Sequence, residues 1–406
     1  MMKQNNLDKV HIVLFVYWFV LLAWQNVRSV GNRGAVDTLI KAGLIMLMVV
    51  YFCFNTQRLK LYPLMCTLFL GSCALVTLFS SSGISFNTIL YYLYPVFLYF
   101  IIYSVGWNAQ INKKQLISLM HWVIMVVSYI VIYAVVFCRD QFASAFTISS
   151  AYGNELCSFL MSNLEYGMYL SFGIMSIFIC MELSEFIPSW RKTLYIIGLL
   201  VFALNLVLTF SRTSIIAFGV MLIAYMIYFA KKSLRTTLLL FLFALGLSIC
   251  IFPQLSFFVT NIVFKEGTDS GRNELAQIGI KMFKEATLIQ KIFGNADFNT
   301  VLESYSDHGN LHNGYIQMLT TNGIKGVVFI VGVLITSLLD NNIGNCSKTE
   351  RKLCKTFNGF VVASGVYMFT ATTTLFYSSI DSYFLTLFAI IIPKYVRNAI
   401  KNGTFE

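Results

Sequence analysis

Residues 191–232 read RKTLYIIGLLVFALNLVLTFSRTSIIAFGVMLIAYMIYFAKK: two apolar runs back to back, with Arg191-Lys192 before the first, Lys231-Lys232 after the second and Ser211-Arg212-Thr213 between them. A membrane-crossing helix needs about 20 mostly apolar residues. Two such runs, 193–210 and 213–230, are separated by almost no loop, so they form a helical hairpin. The basic pairs lie on one side of the membrane and Arg212 on the other, which is the charge asymmetry of a chain with its basic ends inside.

The same pattern extends along all 406 residues. Hydrophobic residues make up 57% and charged residues only 12%, with a mean hydropathy of +0.72, far from the usage of a soluble domain. About twelve spans are predicted, at 10–25, 36–54, 61–80, 88–106, 116–137, 167–183, 193–210, 213–230, 236–258, 315–338, 356–376 and 379–395. With both termini cytoplasmic, Lys and Arg gather in the inside segments, while the short outside turns hold only Arg28, Arg33, Arg139 and Arg212. The net charge of +11 is therefore accounted for by topology and gives no reason to expect nucleic acid as a partner. The fold class expected is an all-α polytopic transmembrane helix bundle. Its parts are a bundle of nine spans over 1–258, a large extracytoplasmic loop over 259–314, and three spans with a cytoplasmic tail over 315–406.

The N-terminal apolar run from Val10 to Trp24 has no cleavage-site pattern after it and is expected to be a retained first helix. The nine cysteines are scattered through apolar runs without C-x-x-C spacing, and act as small hydrophobes rather than metal ligands or disulfide partners. Two outer segments exceed ordinary turns, 138–166 and 259–314, and long ordered loops are usually functional. Within the second, NELAQIGIKMFKEATL (273–288) spaces Leu275, Ile278, Met282, Phe283 and Ala286 as one helical face. An amphipathic helix is predicted there, either lying on the membrane or packed on the bundle.

Polar chemistry collects on the outer side. Arg212 sits at the membrane rim among Ser211, Thr213 and Ser214; it either snorkels or, with helix N-terminal amides, holds an anion such as phosphate. Arg272 follows Gly267-Thr268-Asp269-Ser270-Gly271 and opens the amphipathic helix, where a cation opposes the helix dipole. It needs an anionic partner, whether Asp269, Glu274 or a ligand. Of four histidines, His11 and His121 lie at cytoplasmic span ends and read as packing residues. His312, in the pattern His312-Asn313, nine residues, Gly323, two residues, Gly326, stands at the junction of the long loop and a span. Its neutral imidazole is suited to taking a proton from a sugar hydroxyl, with His308 a rival for that role. The pair His308 and His312 lacks the accompanying residues of a known zinc motif, and no metal site is expected.

That pattern resembles the O-antigen polymerase and ligase family of bacterial polysaccharide assembly, whose ligases carry His, then Asn, Ser or Gln, nine residues, Gly, two residues and a Gly, Thr or Tyr. Ser211-Arg212-Thr213 and Gly271-Arg272-Asn273 match the family's arginine placements, with Thr213 where Gly or Ala is more frequent. Ile292-Phe293-Gly294-Asn295 resembles a hydrophobic-Gly turn upstream of the histidine, and Ser162-Asn163-Leu164-Glu165-Tyr166-Gly167 an Asn-containing segment of the earlier loop. The resemblance implies inverting glycosyl transfer without cofactor or metal in the bacterial cytoplasmic membrane. The donor and the acceptor would be polyprenyl-diphosphate-linked oligosaccharides, and a flippase and a chain-length regulator would be pathway partners. Arg212 and Arg272 would hold the diphosphate, His312 or His308 would serve as base, and Ser211, Asn313, Gly323 and Gly326 would support them. All three of Arg212, Arg272 and His312 are expected to line one outward-facing cavity. A polymerase is favoured over a ligase. A flippase or solute transporter is the rival of another class, disfavoured because the ionisable groups lie outside rather than at mid-membrane.

Overall fold

The computed structural model describes residues 43, 110–146, 156–160, 162–184, 187–230, 232, 235–236, 272–295, 297–305, 311–340, 346–371, 375 and 380–405, and among these there are helices and no strands. The predicted spans at 10–25, 36–54, 61–80, 88–106 and 236–258, apart from Gly43 and Thr236, and also His308, lie outside the described residues. Among the described residues five helices are long and apolar enough to cross a membrane: α1 (Lys113–Phe137), α3 (Asn163–Leu183), α4 (Ser189–Leu208), α9 (Gly314–Leu339) and the final stretch Asp381–Lys401. The second half of the opening hairpin, α5 (Arg212–Tyr228), is a shorter apolar helix. Between these lie α2 (Arg139–Phe146), α6 (Arg272–Glu285), α7 (Leu288–Phe293), α8 (Phe298–Glu303) and α10 (Lys348–Thr370). The described residues fall into two compact units, one holding 272–340 and 368–399, the other 111–236, 346–367 and 400–405.

In the second unit α1 shows why these segments are membrane helices. Its start is fixed by a reciprocal cap: the Gln115 amide donates to Asn112 Oδ1 at 2.8 Å and the Asn112 amide to Gln115 Oε1 at 3.0 Å. Leu116, Met120, Val123, Val127, Ile130 and Ala134 are buried at helical spacing, while Trp122, Met125, Ile132 and Val136 on the other side are exposed. A helix apolar on both faces and covered on only one belongs in hydrocarbon. Likewise α4 exposes Leu194, Ile197, Leu200, Leu204 and Val207. In contrast α3 is buried nearly all round, forming the centre of the unit. It begins four residues before the predicted 167 because the Ser162 hydroxyl caps it, accepting from the Glu165 amide at 3.1 Å.

Close helix packing rests on small residues. A Cβ on Gly173 of α3 would stand 2.9 Å from Val127 of α1 and 3.2 Å from the Phe202 ring of α4. One on Gly359 of α10 would fall on the Ala224 methyl of α5. Four basic residues, Lys348, Arg351, Lys352 and Lys355, occupy the opening turns of α10, ahead of the predicted span at 356–376, and the helix ends at Thr370.

The first unit departs from expectation in two places. The predicted uninterrupted span 315–338 is broken at Gly323, whose φ of 69° and ψ of −170° are not helical. Met318 and Gly326 would lie about 12 Å apart along a straight helix. Here the Met318 carbonyl oxygen comes within 3.2 Å of where a Gly326 Cβ would stand, so the two halves of α9 fold sharply on each other. Secondly, Arg397, placed by charge in the cytoplasmic tail, is 1% exposed and donates to the Ser337 carbonyl at 2.8 Å. The chain from Ile380 remains helical to Lys401 through a π-helical turn at Leu387–Ile391, so Arg397 is still inside the helix where the tail was expected.

Glycine substitutions separate packing from propensity. Gly359→Val forces the α10–α5 contact apart and is expected to cost about 1–3 kcal/mol. Gly332→Ala, with open space around the site, is neutral or stabilising by up to about 1 kcal/mol. Thermal unfolding of the two variants in detergent measures the contrast.

Candidate functional site

The candidate residues fall in both units. Arg212 belongs to the second unit, and Arg272 with His312 to the first.

Around Arg212 the chain turns from α4 to α5 in three residues. Phe210 takes a left-handed φ of 50°, which closes the turn without a glycine. Ser211 then caps α5, its Oγ accepting from the Ser214 amide at 3.4 Å and lying 2.9 Å from Ser214 Oγ. The Ser214 hydroxyl donates to the Leu164 carbonyl at 3.1 Å, and the Asn163 side-chain amide donates to the Thr209 carbonyl at 3.0 Å. Gly167 allows this approach, since a Cβ there would stand 2.5 Å from Ser214. The segment Ser162–Gly167 therefore clamps the Ser-Arg turn. Ser211 and Ser214, expected beside the anion as open hydroxyls, are buried and form the cap and the interhelix link. Arg212 is left as the first residue of α5, half-buried, and among the described residues no carboxylate pairs with it.

Arg272 repeats that placement. It is the first residue of α6 and exposed, and among the described residues no carboxylate forms an ion pair with it. Glu274, the partner considered from the sequence, shares the first turn without pairing; Asp269 lies outside the described residues. A cation at a helix N-terminus opposes the macrodipole by about 0.3–1 kcal/mol. Each arginine thus stands, in its own unit, at the start of a helix.

His312 is set by the junction of loop and helix. Leu275, Gly279 and Met282 form the buried face of α6, and a Gly279 Cβ would stand 2.5 Å from Ile316 and 2.7 Å from Leu311. Met282, Phe298, Leu302 and Leu311 close an apolar cluster between α6, α8 and the start of α9. The predicted amphipathic helix is thus packed on protein through this face. Outside the cluster the Tyr305 hydroxyl donates to Glu285, and that hydrogen bond holds the phenol above its ordinary pKa. Leu311 is anchored in the cluster, and Asn313 caps α9, its Oδ1 accepting from the Tyr315 and Ile316 amides, each at 3.1 Å. Between these two fixed residues His312 adopts a left-handed φ of 48° and presents an exposed side chain. Non-glycine residues held in that region cost of order 1–3 kcal/mol and collect at functional sites.

The glycines of the pattern have backbone roles. Gly294, with φ 103°, ends α7 where a Cβ would fall on the Thr321 carbonyl oxygen; a Cβ on Gly323 would fall on the Ile292 carbonyl oxygen. The kink releases the Thr320 carbonyl, and the Asn295 amide donates to it at 3.1 Å. Gly326 lies beneath Asn322 and Met318, with room for no side chain. Ile292–Asn295, a faint signal in the sequence, is the partner that locks the kink.

Residues 197–331 match the family model described as O-antigen ligase. The matched stretch contains Arg212, Arg272, His308, His312, Asn313, Gly323 and Gly326. No curated protein matches the chain.

Strain at position 312 is directly measurable. His312→Gly relieves the left-handed conformation and His312→Ala does not, so the glycine variant should be the more stable by about 1 kcal/mol. Asn313→Ala, which leaves the helix uncapped, should lose about 1 kcal/mol, with Asn313→Ser losing less. Unfolding temperatures of the purified variants test both; equal stability of the two His312 variants would mean that the residue is not held left-handed.

Proposed function

We propose that this chain is a polysaccharide polymerase of the bacterial cytoplasmic membrane, joining polyprenyl-diphosphate-linked oligosaccharide repeat units on the outer face by inverting, metal-independent glycosyl transfer. The observation that carries this is the family segment at 197–331, which contains both helix-opening arginines and the strained, exposed His312. Membrane helices suit a lipid-linked substrate, because the polyprenyl tail can stay in the bilayer while its diphosphate and sugar reach the polar residues at the helix ends.

In this mechanism an imidazole nitrogen of His312 takes the proton of an acceptor hydroxyl as its oxygen attacks the anomeric carbon. The bond from that carbon to the diphosphate oxygen breaks, the electron pair leaves with the polyprenyl diphosphate, and the configuration inverts. Arg212 and Arg272 neutralise the charge that grows on the leaving group, favouring the transition state over the bound donor. His308 is the alternative base. The description of the matched family favours a second acceptor class, a separate end acceptor as used by a ligase, with the same donor chemistry. A flippase and a chain-length regulator are the pathway partners proposed.

Purified protein in liposomes, supplied with a polyprenyl-diphosphate-linked repeat unit, should produce a ladder of longer glycans that EDTA leaves unchanged. His312→Ala should lower turnover by about 10²–10⁴-fold. A single product appearing only when a separate acceptor is added would assign the ligase reaction, and normal elongation by the His312→Ala protein would remove the histidine from catalysis.

A further inference from the structure

The six-residue helix α7, LIQKIF, has no buried residue. Leu288 is 75% exposed and Ile289 71%, with Ile292 and Phe293 also exposed, so four apolar side chains form a tight exposed patch. The helix is well made for its length, with the Thr287 hydroxyl and Gln290 side chain capping each other's backbone amides. It is also fixed in place, because Gly294 and Ile292 interlock with the α9 kink through backbone contacts and the Asn295 to Thr320 hydrogen bond.

The position of that kink identifies what covers the patch. Before it polar residues are interspersed with apolar ones, with Gln317, Thr320, Thr321 and Asn322 within six residues; after it, Ile324 to Leu339 is apolar apart from Lys325 and two hydroxyl residues. This second half spans about 24 Å at 1.5 Å per residue, close to the hydrocarbon thickness of about 30 Å. Ile324, Val328, Val331, Ile335 and Leu339 are exposed along one of its faces, as on a lipid-facing helix. The kink therefore lies at the hydrocarbon border, and the α7 patch starts beside it, Ile292 touching Gly323 next to Ile324. Cations suited to headgroup phosphates are also near: Lys291 lies within α7, and Lys325 Nζ is 5.3 Å from the Phe293 ring centre. A helix this short offers far less than the roughly 800 Å² per partner of a stable protein interface. Insertion of a few apolar side chains beneath the headgroups needs no such area.

We propose that Leu288–Phe293 is an interfacial anchor, inserting its apolar residues into the bilayer that the chain itself spans and tying the loop to the membrane at the depth of the α9 kink. For the chemistry proposed above, this would hold the His312 segment close to the level of a lipid-linked diphosphate. That consequence rests on the functional proposal; the anchor does not.

The test uses the full chain in phosphatidylcholine and phosphatidylglycerol liposomes, with a diazirine-bearing amino acid replacing Ile289, Ile292, Val328 or Glu303 one at a time. After illumination, lipid adducts at 289 and 292 should be within about twofold of those at the lipid-facing position 328, and at least about fivefold above those at the exposed position 303. Water addition at 289 and 292, as at 303, would overturn the anchor. So would cross-linking there to a second copy or another polypeptide. An inactive protein that still gives lipid adducts at 289 would count against the glycosyl-transfer proposal alone.

Discussion

The first unit depends on a backbone interlock. At Gly294 and Gly323 two stretches of main chain approach so closely that neither position can carry a Cβ, and both take positive φ values that other residues adopt at a cost. Breaking α9 at Gly323 would leave a helix carbonyl without its partner, and an unpaired buried carbonyl costs about 1–3 kcal/mol. The Asn295 amide offsets this by bonding Thr320, so the break is stable only when Ile292–Asn295 is docked. That contact fixes α7 against the first half of α9, whose start carries the crossing of α6 and the turn at Leu311–Asn313.

The second unit holds its arginine by similar means. A tight turn with a left-handed Phe210 is clamped by Asn163, Gly167 and the Leu164 carbonyl, which consume the hydrogen bonds of Ser211 and Ser214 and leave Arg212 without an ionic partner among the described residues. In each unit the polar network is spent on holding the backbone, while the charged group stands at a helix start whose dipole already favours an anion.

Much of the framework was legible in the sequence, because apolar length and Lys/Arg placement are additive signals that survive without knowledge of contacts. The paired runs around Arg212 and the amphipathic spacing of Leu275 to Met282 appear as helices near their expected bounds. The sequence also picked out Gly323 and Gly326, though not their work: hydropathy cannot register a kink, since its cause is a carbonyl contact from a segment some thirty residues earlier. For the same reason Ile292–Asn295 and Ser162–Gly167 looked faint. Their value lies in asparagine and glycine backbone contacts, which carry no periodicity. Arg397 shows the limit of charge counting, since a positive side chain near a helix end can be buried against a carbonyl as well as solvated.

On the proposed mechanism the interlock sets the His312 junction for reaction as well as stabilising the fold. This is tested most directly by the rate of glycan extension per folded molecule in a Gly323→Ala protein, reconstituted with a polyprenyl-diphosphate-linked repeat unit and normalised by the folded fraction from size-exclusion chromatography. A large loss of rate in the folded fraction is predicted, because a methyl at 323 displaces Ile292 and frees the first half of α9, whose Asn313 cap fixes the His312 turn. A folded Gly323→Ala protein extending glycans at the rate of the unaltered chain would contradict it.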